Sequence, residues 1–280
     1  MQFYALEESL QPVTAVKALR QKDYLCPECR GKVRLRRGLH KQPHFFHLKE
    51  NTRCFQHRKS LSHLQTQMKI LSILPQGEAA MEKPFPSIGR IADVAWEEKQ
   101  LVFEVQCSPI SSSEVKERNQ DYGKLGYQVV WLLHQKTFNK KKMSAAEVFL
   151  DRCPHYFTDI NAKGEGHIYD QFEVIKHPIR LFRGVPLSIK LSSPLVLRTS
   201  FNLKNTIPKN LTERIETWPI YFAGDLLDCI LRGEETALQR LVLLEERLTN
   251  APTFSIKTWT KKFFYWALSL LLKKTFTNAK

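Results

Sequence analysis

Arg90-Ile-Ala-Asp-Val-Ala-Trp96 and Leu101-Val-Phe-Glu-Val-Gln106, joined by the polar link Glu97-Glu-Lys99, decide how this chain is read. Both runs are rich in β-branched and aromatic residues, and the link suits a tight hairpin. Side chains alternate along a strand, so Glu104 and Gln106 share one face while Leu101, Phe103 and Val105 take the other. Pairing of the strands brings Asp93 and Glu104 to nearly adjacent rungs, with carboxylates expected within about 5 Å of each other around a shared magnesium ion. A slip of one residue would turn one acid to the core face.

The elements around this hairpin follow from periodicity. Leu61, Leu64, Met68 and Leu71 recur at helical spacing behind Ser60 as cap, which predicts a helix over 60–74 closed by Pro75-Gln-Gly77. A strand over 78–83 follows, broken by Pro84 and Pro86. Pro109 and the serines at 111–113 open a second helix over 112–125, and Tyr127-Gln-Val-Val-Trp-Leu-Leu133 reads as a strand buried on both faces. Helix, three strands, helix, strand makes an α/β (α+β) mixed sheet. With acids on its strands, this is the pattern of a metal-dependent nuclease core, in which magnesium orients a water and stabilises charge on a phosphate.

Two further sets of residues extend this candidate site. His63, on the flank of the first helix's apolar stripe, could reach over the sheet toward Asp93 as a nitrogen ligand; the plainer reading is a solvated or core histidine. Arg118 and Tyr122, four apart on the second helix, lie on one face and could contact a phosphate and stack on the substrate. Otherwise they are a surface pair.

Upstream, Cys26-Pro-Glu-Cys29 and His44-Phe-Phe-His47 supply four ligands for a closed, structural zinc site. Cys54 and His57 form a second possible pair and His40 is a spare. A reduced pair without metal is the alternative, and a redox pair lacks the surrounding βαβ pattern. Six cysteines read as thiols or metal ligands of a cytoplasmic chain rather than as disulfides.

At 280 residues and 42% hydrophobic content the chain has room for two or three domains with a real core, which excludes a disordered protein. The formal charge of +15 is unevenly placed: residues 1–59 carry 13 basic and 5 acidic groups, 60–160 carry 12 of each, and 161–280 carry 18 and 11. A neutral core between two basic flanks suits an acidic polymer gripped by the flanks, although a generic basic surface would show the same balance. No signal peptide is expected at the start. The apolar run Phe263–Leu272 is far shorter than the roughly 20 residues of a membrane span, so a buried helix is expected there and a membrane-surface helix is the alternative. The stretch from 140 to about 168 reads as a linker or irregular edge, 169–200 as weak strands, and 224–249 and 255–275 as helices. Aromatics at 218, 221, 222, 254, 259 and 263–266 could stack on unpaired bases, with a core role as the alternative for at least half of them.

Taken in order, Tyr24-Leu-Cys-Pro-Glu-Cys29, His44-Phe-Phe-His47, Arg90-Ile-Ala-Asp93, Phe103-Glu-Val-Gln106, Arg118-x-x-x-Tyr122 and Tyr127-Gln-Val-Val-Trp131 resemble the competence protein CoiA family. The resemblance covers about residues 1–150. It implies a restriction-endonuclease-like core of the PD-(D/E)xK type, similar to the RecB-like branch in using a helix histidine. His63, Asp93 and Glu104 would then be magnesium ligands, and Gln106 would stand where the fold's lysine usually sits. It also implies a role in transformation, on incoming single-stranded DNA and beside recombination proteins. The expected organisation is a zinc-finger-like module over 1–58, a nuclease-like domain over 59–155, and a basic, mainly helical domain over 165–280. The expected function is a magnesium-dependent deoxyribonuclease; the alternative is a non-catalytic DNA-binding accessory that keeps the fold as a platform.

Overall fold

The computed structural model describes residues 2–38, 41–50, 54, 59–196, 207–232 and 235–250. The expected helix over 255–275 lies outside them, as do His40, His57 and the aromatics from 254 onward.

The N-terminal part is an antiparallel sheet of five strands, in the order β2-β1-β3-β4-β5. These are β1 (Tyr4–Leu6), β2 (Pro12–Thr14), β3 (Asp23–Leu25), β4 (Lys32–Gly38) and β5 (Lys41–His47). Strand alternation explains its sidedness. Val33 and Leu35 of β4 are buried with Ala5, Tyr24 and Phe45, while Lys32, Arg34 and Arg36 point outward.

Ser60 caps α1 (Leu61–Ile73), its hydroxyl accepting from the His63 amide. The chain then forms β6 (Ala79–Phe85), β7 (Arg90–Trp96) and β8 (Leu101–Gln106), followed by α2 (Ser112–Lys124), capped by Ser111, and β9 (Gln128–His134). Strands β6 to β8 pair antiparallel, and β9 lies parallel to β8 after its helical crossover. These elements lie where periodicity places them, except that β6, an edge strand, runs on through Pro84 to Phe85 instead of breaking there.

The sheet does not stop there. The stretch expected as a linker holds α3 (Ala145–Leu150), closed by a Ser144–Glu147 capping box, and β10 (His155–Thr158), which lies parallel to β9. With β11 (Ile168–Asp170) and β14 (Leu187–Ser188) the sheet reaches seven strands, ordered β14-β11-β10-β9-β8-β7-β6. It therefore continues beyond the break expected between 155 and 165. Strands of two to four residues are too short to show a period, which hides them from pattern reading.

Between and beyond these lie the antiparallel pairs β12 (Glu173–Lys176) with β13 (Ile179–Arg183) and β15 (Lys190–Val196) with β16 (Ile220–Ala223). Helices α4 (Lys209–Thr217), α5 (Leu226–Leu231) and α6 (Glu235–Thr249) follow, so the described part of the C-terminal stretch interleaves helices with strands. The single helix expected over 224–249 is divided between α5 and α6. One face of the large sheet packs α1 and these C-terminal elements around Ile70, Val94, Phe103 and Phe222; the other packs α2 and α3 around Val102, Trp131, Val115 and Leu150. Trp218, Tyr221 and Phe222 belong to the first core, at 2%, 8% and 0% exposure, so they are not a stacking platform for bases. Arg214 binds both oxygens of Asp170, and Tyr156 donates to Asp225, pinning the C-terminal elements to the sheet. No helix among the described residues is long and apolar enough to cross a membrane.

Candidate functional site

The β7–β8 ladder ends at the pair Val94↔Phe103. Asp93 is the next residue of β7, and its Oδ2 accepts the Val105 amide at 2.8 Å. Its Oδ1 gathers three side-chain donors: Gln67 at 2.7 Å, Lys59 at 2.9 Å and His63 at 3.0 Å. His63 and Gln67 sit four apart on α1, so one helix face delivers both. Burial alone would raise the Asp93 carboxyl; the charges of His63 and Lys59 outweigh it and hold the group far below the usual carboxylate range.

Glu104 projects toward α2. Its Oε1 accepts from the Tyr122 hydroxyl at 2.8 Å and its Oε2 from the Arg118 guanidinium at 2.6 Å. Burial pushes this carboxyl above its ordinary value, with Arg118 opposing and Asp93 adding to the rise. Tyr122, itself buried, is held well above the normal phenol range, first by burial and then by the Glu104 charge. Arg118 also holds Glu114, which shares Arg90 with Asp121, so the start of β7 is tied to α2.

The two acids are 4% and 1% exposed. Asp93, Lys59, His63, Arg90, Gln106, Arg118, Tyr122 and Glu28 line one cleft of about 240 Å³. Arg118 and Tyr122, expected to face the substrate, are committed at their polar ends to Glu104, which stands behind them. Gln106 reaches the cleft, but its amide donates to the Ser108 carbonyl at 2.6 Å and to the Ser108 hydroxyl at 3.3 Å. Two site residues escaped sequence reading. Lys59 precedes the first helix, and Glu82 accepts from Lys59 at 3.1 Å. Glu82 lies between the register pairs Met81↔Val94 and Lys83↔Ala92, across from Asp93, with a left-handed φ of 52°. Neither belongs to a local motif, so only the cross-strand register could have pointed to Glu82.

Among the described residues the expected magnesium ligands His63, Asp93 and Glu104 do not gather their ligand atoms into one group that could hold a metal, and the Lys59 ammonium rests between Asp93 and Glu82. The protein donors on Asp93 and Glu104 would have to give way for a metal to bind.

A second cluster lies in the N-terminal module. Cys26, Cys29, His47 and Cys54 bring one ligand atom each to within 4.8 Å of one another. The separations are 3.7 Å for Cys26 Sγ–Cys54 Sγ, 3.3 Å for Cys29 Sγ–His47 Nε2 and 3.6 Å for Cys54 Sγ–His47 Nε2. Edges of about 3.5–3.8 Å follow from tetrahedral zinc with sulfur at about 2.3 Å and nitrogen at about 2.0–2.1 Å. The donor set thus fits a metal such as zinc. All six cysteines are free thiols, and burial pushes Cys26 up to about 11, so metal binding would have to displace its proton. The turn closes through Arg30 N to Cys26 O and Cys26 N to Gly31 O, and a Cβ at Gly31 would stand 3.2 Å from Cys29 Sγ.

This corrects the ligand set expected from sequence: His44 is outside the cluster and Cys54 takes its place. The reason is strand geometry. His44 pairs with Arg36 and His47 with Val33, and residues three apart on one strand point to opposite faces. The knuckle also touches the other site. Glu28, between the two cysteines, approaches Cys54 Sγ at 3.5 Å and lines the cleft that holds Asp93. On the module's outer face Lys32, Arg34 and Arg36 are exposed, with the Arg36 guanidinium 4.5 Å above the Phe46 ring.

Residues 9–56 match the model of the competence protein CoiA N-terminal domain, and residues 59–181 match that of the competence protein CoiA nuclease-like domain. Together the two models take in more than half of the 280 residues. No curated protein and no solved structure matches the chain.

Proposed function

The chain belongs to the competence protein CoiA family, and we propose that it processes DNA during transformation by metal-dependent phosphodiester cleavage in the Asp93 cleft. The observation that carries this reading is the pair of buried acids, Asp93 and Glu104, where β7 and β8 part. Keeping a carboxylate ionised at such burial is costly unless cations surround it, and Lys59 and Arg118 supply them.

Magnesium, when bound, would supply a metal-held water and charge stabilisation for the leaving oxygen. Asp93 and Glu104, with His63 beside them, would hold it. The chain's own residues do the rest. Arg90 and Arg118 line the cleft, where each is already paired with acids, and Tyr122 would fix the Glu104 carboxylate. Gln106 can hydrogen-bond a water or a phosphate but adds no charge. The N-terminal cluster would hold one structural zinc through Cys26, Cys29, His47 and Cys54, and the row Lys32, Arg34 and Arg36 would track the backbone of single-stranded DNA.

One observation favours a second reading. Both acids are already neutralised within the protein, Asp93 by Lys59 and Glu104 by Arg118, which suits a recombination accessory that holds DNA without cutting it. Incubating the full chain with labelled single- and double-stranded DNA, with and without Mg or Mn, separates the two. Metal-dependent cleavage supports the first reading; binding without cleavage supports the second.

A further inference from the structure

We infer that Lys59 is the working cation of the cleft, held over Asp93 by Glu82 so that it meets a DNA phosphate, and that it fills the role a lysine at position 106 would have. The inference rests on the proposed reading of the cleft as the place where the DNA backbone lies. Phosphodiester cleavage builds negative charge on the phosphate and the leaving oxygen, and a fixed cation there stabilises it. Gln106 carries no charge, and its amide is engaged by Ser108. The other cations of the cleft are held by other acids: Arg90 by Glu114 and Asp121 of α2, and Arg118 by Glu104 of β8 and Glu114 of its own helix. Lys59 alone among these three touches Asp93, at 2.9 Å.

Its placement is specified from several sides. The side chain is 9% exposed and lines the cleft, and its ammonium lies between Asp93 Oδ1 and Glu82 Oε1. Glu82 spends its other oxygen on the amides of Phe3 and Tyr4, each at 3.1 Å, so the first strand of the N-terminal module fixes the anchor. It does so from a left-handed backbone conformation, φ 52°, which is unfavourable for a residue with a side chain and persists where surroundings over-determine it. Glu82 is therefore a positioning residue, and the N-terminal module is part of the apparatus that aims Lys59. A lysine carried by the segment before α1 reaches the site that a strand lysine would have reached from β8.

The test uses the full chain in four forms: wild type, Lys59→Met, Lys59→Arg, and Lys59→Met with Gln106→Lys. Two quantities are read: cleavage of labelled single-stranded DNA with Mn, and the slope of log affinity against log salt for the same DNA in EDTA. Lys59→Met is expected to lower cleavage by at least about 100-fold and the salt slope by about 0.7, one phosphate contact on a single strand. Lys59→Arg should keep the slope, and the added lysine at 106 should restore cleavage by at least about tenfold in the Met background. A purely structural lysine would move neither the slope nor the rescue, and unchanged values of both would overturn the inference. Should the wild type cut nothing, the nuclease reading fails, and the slope alone then decides on Lys59. Should Lys59→Met not fold, Lys59→Gln, which keeps a polar end for Asp93, is read in the same two ways.

Discussion

Asp93 Oδ2 accepts the Val105 amide at 2.8 Å where β7 and β8 cease to pair, so a carboxylate replaces backbone in continuing the ladder. The same group holds Lys59 and His63 through its other oxygen, which gives it a structural role beside the chemical one proposed for it. Asp93→Ala should therefore destabilise the protein by about 3–5 kcal/mol, because it removes one of the two carboxylates that hold the buried Lys59 ammonium and leaves Gln67, His63 and the Val105 amide without their acceptor. Urea unfolding measures it, and a loss under about 1 kcal/mol would show that Lys59 finds water or another partner cheaply. Asp93→Asn, which keeps the shape, is the better variant for activity.

Tyr122→Phe removes one hydrogen bond to a buried carboxylate. We expect a loss of about 1.5–3 kcal/mol in the same measurement. Because the deleted hydroxyl stabilises the charged form of Glu104, the Glu104 carboxyl should also hold its proton to a higher pH, which carbon-13 NMR of the side chain would read. An unmoved titration would contradict the contact at 2.8 Å.

The metal cluster makes a prediction that separates Cys54 from His44. Purified protein should carry about one zinc per chain. Cys54→Ser should lose it and loosen the N-terminal sheet, whereas His44→Ala should keep it. Zinc retained by Cys54→Ser and lost by His44→Ala would restore the set read from sequence.

Asp151 offers a test of the electrostatics away from the cleft. Burial first, and then the Glu173 charge, push its carboxyl up to about 7. In the unfolded chain it titrates near about 3.9. Between these values the folded state keeps a proton that the unfolded state releases, so the stability tied to it is present below about pH 4 and lost as pH rises toward 7. Asp151→Asn should match the wild type near pH 4 and exceed it above pH 7, by up to about 4 kcal/mol. Urea midpoints across this range check the sign; a variant that gains instead on the acid side would reverse it.

The sequence made the central hairpin legible because residues 90–106 alternate cleanly and the flanking helices carry both caps and apolar stripes. The placement of Asp93, Glu104, His63, Arg118 and Tyr122 on their elements is legible for the same reason: each sits on a regular element, where period gives direction. What was missed lies where period fails. Cys54 stands three residues before His57, which groups it with that histidine as a second pair rather than with Cys26 and Cys29, and spacing alone pairs His44 with His47, although a strand turns them apart. Lys59 precedes its helix, and Glu82 gains its role from a register with Asp93 and a left-handed backbone that no local pattern announces. Strands β10, β11 and β14 are too short to carry a signal, so the sheet was expected to end too early.

The most direct test of the account compares wild type with Asp93→Asn on labelled single-stranded DNA, with Mn and with EDTA. The account predicts metal-dependent cleavage by the wild type, a fall of at least about 100-fold in the variant, and DNA binding in EDTA retained by both. Binding with no cleavage by the wild type, or cleavage that survives in Asp93→Asn, would contradict it.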